Sequence, residues 1–236
     1  MSLYLLNHNK IQDAMKKIIL TFLIFGCIST LTFAQSSFLE KGRNGFGISG
    51  GFSTNENISG FSGEVGYSFS GIFDLGASVS RFGFDQQLLG EDLNATVISP
   101  FISFLPIKQD DATPVSFALN GSYQKQFYSN DALSNNDIDM TGDYFTIGAS
   151  LFTDIEASDA MKIQPRAGVN YITGETKIED STGSQTESDN STVFNLGLSL
   201  IFDTSPSNSF VVTPSLGFQE DVTTFGLSLS FVLPQN

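Results

Sequence analysis

The chain has 236 residues, with 11 Lys and Arg against 25 Asp and Glu, a net charge of −14, one His, one Cys, no Trp, 23 Phe and 22 Gly. So acidic a chain is a poor ligand for nucleic acid, whose phosphates need cationic cover. Both His8 and Cys27 stand near the N-terminus, so a body that lacks that segment has no imidazole, no thiolate and no disulfide.

Taken in chain order, residues 1–14 ("MSLYLLNHNKIQDA") read as an upstream extension ahead of a second start at Met15. Residues 15–34 have the layout of a secretory signal peptide. Met15-Lys16-Lys17 is the cationic start, "IILTFLIFGCISTLTFA" the apolar run, and Thr32-Phe33-Ala34 the small-residue exit. A membrane anchor is the competing reading, but the run is near the lower limit for spanning. A lipoprotein with Cys27 acylated fits less well, because Phe25 is bulky and apolar residues continue past the Cys. Cleavage leaves residues 35–236. It removes Lys10, Lys16, Lys17 and Asp13, leaving 8 basic and 24 acidic residues and a net charge of −16.

After Gln35 no long helical period occurs; large apolar residues recur at every second position in about ten segments. They are "FGISGGFS", "GFSGEVGYSFS", "IFDLGASVS", "TVISPFISFLP" (apolar on both faces), "VSFALNGSYQ", "YFTIGASLF", "IQPRAGVNY", "VFNLGLSLIF", "FVVTPSLGF" and "TTFGLSLSFVLPQN". In the last, Phe225, Leu227, Leu229 and Phe231 fall on one side of a strand, with Gly226, Ser228 and Ser230 on the other.

Alternation alone also fits a soluble sandwich, and the charges discriminate. Of the acidic residues only Glu64 and Asp74 fall clearly inside the segments; Arg166 is the clearest basic one and Arg81 stands near a segment end. A water-facing sheet surface would be rich in Lys and Glu. Here the alternate positions are Ser, Gly, Thr and Asn, which suit a crowded barrel interior and leave the large residues for lipid. The expected fold is all-β: a closed antiparallel up-and-down transmembrane β-barrel of about ten strands, or eight if a first or edge segment is overcounted. Short connections such as Ser70-Gly71 alternate with long polar ones, "KQFYSNDALSNNDIDMTGD" and "TGETKIEDSTGSQTESDNS", the pattern of periplasmic turns and external loops. The Ser-, Thr- and Asp-rich stretch "DSTGSQTESDNS" is expected to lack order. Pro100, Pro165 and Pro214 are expected at bulges or rims, since Pro cannot donate to a ladder.

In these features the chain resembles the single-domain outer-membrane β-barrel proteins of Gram-negative bacteria, in style most of all the small Phe- and Asn-rich barrels of the Bacteroidota. The resemblance is one of pattern over most of residues 35–236. It implies location in the outer membrane, contact with its lipid and lipopolysaccharide, and reading of the last strand (Phe225, Leu227, Leu229, Phe231) by the barrel-assembly machinery. The chain departs from the pattern by continuing through "VLPQN" after Phe231.

Hydrolytic and acyl-transfer barrels generally use His as general base, so the expectation is no enzyme, no catalytic residue and no cofactor. Glu64, Asp74 and Arg166 are lumen-lining candidates, read as an ion-pair and hydrogen-bond network. Asp137, Asp139 and Asp143 in "NNDIDMTGDY" have the oxygen-ligand spacing of a calcium loop, although Gly148 stands where its closing Glu belongs. Calcium is therefore the only metal considered, as a bridge to lipopolysaccharide phosphates. The leading function is a structural or surface-interaction barrel, with a narrow passive channel for ions or small hydrophilic solutes as the alternative. Oligomeric state and ligand are not specified by any motif.

Overall fold

The ten alternating segments form ten long strands joined by a continuous antiparallel ladder. The computed structural model describes residues 38–39, 41–88, 91–181, 183–205, 208–220 and 222–235; the extension, the signal peptide, His8 and Cys27 lie outside them. In order the strands are β1 (Asn44–Thr54), β2 (Ile58–Phe69), β3 (Phe73–Leu88), β4 (Glu91–Ile107), β5 (Ser116–Ser129), β6 (Asp139–Phe152), the short β7 (Ile155–Ser158), β8 (Met161–Asp180), β9 (Gly183–Ser205), β10 (Asn208–Gln219) and β11 (Val222–Gln235). One short helix, α1 (Asp131–Asn135), lies between β5 and β6. Strand β7 pairs only with the start of β8 inside a turn. Pairing of β6 with β8 bridges that turn, and β11 pairs with β1, so the sheet closes into a ten-stranded barrel. At the seam Phe46 lies opposite Leu233 and Ile48 opposite Phe231.

Across a central belt the outward face is apolar. Phe61 is 69%, Ile147 65%, Phe194 62%, Phe145 58% and Val79 54% exposed, fractions that suit hydrocarbon and would drive aggregation in water. Aromatic residues rim the belt at both ends. Towards the end that carries the termini, Phe46 faces Tyr67, Phe69 faces Phe73, Phe73 faces Phe104, and Phe231, Phe210 and Phe202 follow one another across three strands. Towards the other end stand Phe61, Tyr123, Phe145, Phe194, Phe218 and Phe225, with Tyr123 facing Phe145 and Phe194 facing Phe218. From Phe202 to Phe194 is about 26 Å along the strand, or about 20 Å with a barrel's usual tilt, close to the apolar height of a membrane barrel.

Two expectations are corrected. The stretches read as long loops are mostly strand. Strands β8 and β9 remain paired through Thr176–Glu187 and Ile178–Gln185 out to Asp180–Gly183, and β3 and β4 remain paired out to Leu88–Glu91. "DSTGSQTESDNS" is thus the tip of a hairpin. Its order comes from ladder hydrogen bonds and from the packing of its neighbours β6 and β8, and not from its own apolar content. The prolines make no bulges. Pairing of β4 with β5 lapses over Ser99 and Pro100, and of β10 with β9 over Thr213 and Pro214, without change of register; Pro165 lies beside Arg166, where the β6 ladder ends.

Candidate functional site

The alternation keeps its phase along each strand, but its polarity reverses at the loop-side edge of the belt. On β3 the outward residues are Phe73, Leu75, Ala77 and Val79, then Arg81, Gly83 and Asp85; the inward ones are Asp74, Gly76, Ser78 and Ser80, then Phe82 and Phe84. On β6 outward Ile147 and Phe145 give way to Asp143, Thr141 and Asp139, while inward Thr146 gives way to Tyr144 and Met140. Above the belt the outer surface is therefore polar and the interior is a core, the arrangement of a water-soluble sheet.

That core closes the lumen at the loop end. Ile58, Phe82, Phe84, Leu88, Leu93, Ala95, Val97, Tyr128, Met140 and Ile178 pack into one buried cluster with Leu133 of α1. The helix is fixed over it by Asn130, whose side chain caps Leu133 N–H at 2.7 Å and donates to the Leu88 carbonyl at 3.1 Å. Three buried hydroxyls beside the cluster are satisfied: those of Tyr144 and Thr176 are 2.6 Å apart, and that of Tyr128 donates to Gln126 Oε1 at 2.5 Å. Gly60 is required here, because any Cβ would lie 2.0 Å from the Phe82 ring.

At the other mouth Leu39, 3% exposed, sits against Gly45, where a Cβ would approach it to 2.7 Å. Lys108 Nζ donates to the Leu39 carbonyl and holds this stopper in place. Beside it Leu105, Ala118 and Phe152 form a second apolar cluster. Arg166 lies 4.7 Å from the centre of the Phe152 ring and donates to Gln164 Oε1 at 2.9 Å, while Gln164 donates to Asp154 Oδ1 at 2.7 Å.

Between the two closures lies a band of small polar residues. Ser230, Ser49, Glu64, Ser78 and Ser99 form one cross-strand row over five strands, and Ser228, Gly51, Ser62 and Ser80 form the next row. Ser49, Glu64 and Ser78 of the first row and all four residues of the second line a cavity of about 60 Å³ together with Ser53, Ser215 and Gly226. On the opposite wall Asn120 donates to Asn170 Oδ1 at 3.2 Å across Gly148, where a Cβ would lie 1.8 Å from that oxygen.

Of the residues singled out in the sequence, Glu64, Asp74 and Arg166 all face the lumen. Asp74 is fully buried and contributes to the field at Arg166. Arg166 is bonded to Gln164, and Glu64 Oε1 is buried with no hydrogen-bond partner among the described residues. Asp137, Asp139 and Asp143 do not converge. Asp139 and Asp143 lie on an extended strand, about 13 Å apart at 3.3 Å per residue. Asp143 is held by Lys125 Nζ at 2.6 Å and by the Tyr123 hydroxyl. Among the described residues no three His, Cys, Asp or Glu side chains form a metal cluster, so the calcium reading loses its geometry. Phe225, Leu227 and Leu229 are 45%, 40% and 48% exposed on the outward face of β11, with Phe231 half-buried in the same row. Sequence reasoning missed the two closures. The loop-end closure has a signal in the reversal of polarity in "VSRFGFD", where the apolar residues change sides of the strand.

A closed, up-and-down, ten-stranded barrel with a lipid-compatible belt and aromatic girdles defines a class, the membrane-spanning β-barrel. No protein-family model matches the chain, and no curated protein does. Among solved structures, the translocator domain of the autotransporter NalP from Neisseria meningitidis has this fold, with a TM-score of 0.53 at 11% identity, over 96% of this chain and 97% of that one. The β-domain of the Bordetella autotransporter BrkA gives 0.48 at 8% identity over 80% and 98%, and Ail of Yersinia pestis 0.37 at 14% over 83% and 99%. At 11% identity the likeness to the NalP domain concerns the fold alone.

Proposed function

We propose that the protein is an outer-membrane β-barrel, exported by a cleaved signal peptide, that serves as a non-catalytic scaffold for surface interaction. The observation that carries this reading is the lumen, closed at one mouth by Leu39 and at the other by the cluster around Phe82 and Leu133. A barrel plugged in this way is a poor conduit, and its mature part offers no imidazole for hydrolysis. What it presents to the outside is a wall of uneven height. Pairing of β9 with β10 ends at Phe194–Phe218, whereas pairing of β9 with β8 continues to Gly183. The β8–β9 hairpin therefore rises about 25 Å or more beyond Tyr171, with Glu175, Lys177 and Glu179 on its outer face. Lipid and lipopolysaccharide are the partners of the belt, and the barrel-assembly machinery that of β11. The Phe- and Asn-rich composition supports a barrel of the Bacteroidota type.

Planar-bilayer recording on the mature barrel tests this. The expected result is a silent membrane at concentrations where an open barrel of similar size gives discrete current steps. Reproducible steps would replace the scaffold with the alternative, a narrow channel.

A further inference from the structure

Glu64 is the point at which the lumen's polar band is unbalanced. It stands in a row of hydroxyls, flanked by Ser49 on β1 and Ser78 on β3. Its Oε1 and the nearby hydroxyls of Ser80, Ser228 and Ser230 are all buried without a protein partner. Asp74, a charge of its own sign, acts on it. Arg166 donates to Gln164 and lies in the fields of Asp154 and Asp74. A carboxylate enclosed in this way costs several kcal/mol unless it takes up a proton or an opposite charge or several donors meet it.

The space beside it is built. Gly51 and Gly226 leave open what side chains would fill: a Cβ at Gly226 would lie 2.6 Å from Ser215 Oγ, and one at Gly51 3.0 Å from Ser62 Oγ. A cavity of about 60 Å³ results, with Glu64 between it and a smaller one of about 10 Å³ that is bounded by Phe38, Ser49 and Ser230. Its size corresponds to roughly four water molecules, too small for an organic solute. Its donors are one carboxylate and neutral hydroxyl oxygens, hard ligands carrying a single negative charge. Calcium takes six to eight oxygens and usually several carboxylates, and zinc sites are built mainly on Cys and His. We propose that this chamber is an alkali-cation site, in which Glu64 and the surrounding serine hydroxyls hold one partly hydrated sodium or potassium ion between the two closures of the lumen. The ion enters as the barrel folds, and it fixes the β10–β11–β1–β2–β3 wall around the seam.

The test uses the mature chain refolded into detergent micelles in sodium chloride or in choline chloride at equal ionic strength. Sodium relaxation by ²³Na NMR reads binding, and the circular-dichroism melting midpoint reads its effect. The expected result is line broadening that potassium competes away, and a midpoint that rises by roughly 3 to 5 °C per tenfold increase in sodium above its Kd. Glu64→Gln should abolish both responses and melt higher than the unaltered chain in choline. If Glu64→Gln does not fold, Gly226→Ala, whose methyl enters the chamber while Glu64 stays, should lose the broadening. The proposal is overturned if the unaltered chain melts identically in sodium and choline. It is also overturned if either variant keeps the full sodium response, or if infrared spectra in sodium show a protonated carboxyl band that Glu64→Gln removes. Conductance does not enter this test, so a silent barrel without a cation, or a conducting one with it, remains distinguishable.

Discussion

Below and above the level of Ser80 and Val97, one ladder encloses two different interiors. In the belt the inward residues are Ser49, Ser62, Ser78, Asn120 and Asn170 around a chamber; above it they are Phe82, Phe84, Leu93, Met140 and Ile178 in close packing. No strand changes register between the two. What changes is the solvent outside. Against hydrocarbon the large residues gain nothing by turning inward, so the outward positions hold them and the lumen takes what remains. Where the wall emerges into water, burial of apolar surface again favours the inside, at about 25 cal/mol per Å². The polarity of the alternation thus records where the membrane ends, and the external half of the barrel behaves as a small soluble domain fused to the spanning half.

The largest effect expected from this contrast is that of Phe82→Ala. It removes a 4%-exposed ring from the external core and should cost about 3–5 kcal/mol in urea unfolding. Phe61→Ala, on the lipid face of the neighbouring strand, should cost much less; equal losses would deny that the two halves differ. A smaller change comes from charge in the belt. Ile147→Lys, at a position 65% exposed to the outside, should cost about 2–4 kcal/mol in lipid vesicles. Glu175→Leu, on the outer face above the belt, should shift the midpoint by no more than about 0.5 kcal/mol. If Ile147→Lys is also neutral, the belt is not in lipid.

The smallest effect is expected outside both regions, in the turn between β4 and β5. There Asp110 Oδ1 accepts the N–H groups of Thr113 and Ala112 at 2.8 and 2.9 Å. These donors, Thr113 first, hold the carboxyl below its usual 3.8. Its folded value is the lower one, so its contribution is complete above pH 3.8 and is lost as the pH falls through the folded value. Asp110→Asn, which keeps the acceptor but does not titrate, should leave the pH 7 urea midpoint nearly unchanged and flatten its fall between about pH 4 and pH 2. An unchanged slope there would show that the turn does not feel the charge.

Much of the architecture was legible in single residues. Phe225, Leu227 and Leu229 alternating with Gly226 and Ser228 specify a strand with one lipid-compatible face, and the scarcity of charge in ten such segments specifies the belt. The hairpin at "DSTGSQTESDNS" was illegible because its order is borrowed: its backbone is satisfied by a partner strand, and composition reports only what a segment buries for itself. Asp137, Asp139 and Asp143 misled for a related reason. Calcium spacing needs a curled loop, and neighbours on both sides hold β6 extended. Glu64 could be picked out as a lumen residue, but not its place in a row of serines, since that depends on the register of β11, β1, β2 and β3 around the barrel.

The sequence by itself thus determined the class of fold, the belt and the last strand's outward row, because period and polarity are local properties that each strand carries alone. Only the tertiary structure decided that the lumen is stoppered at both ends and that one carboxylate is left in a chamber of serines. Closure brings together side chains from five and more strands, and which of them meet is set by register and by the space that Gly51, Gly60 and Gly226 leave open.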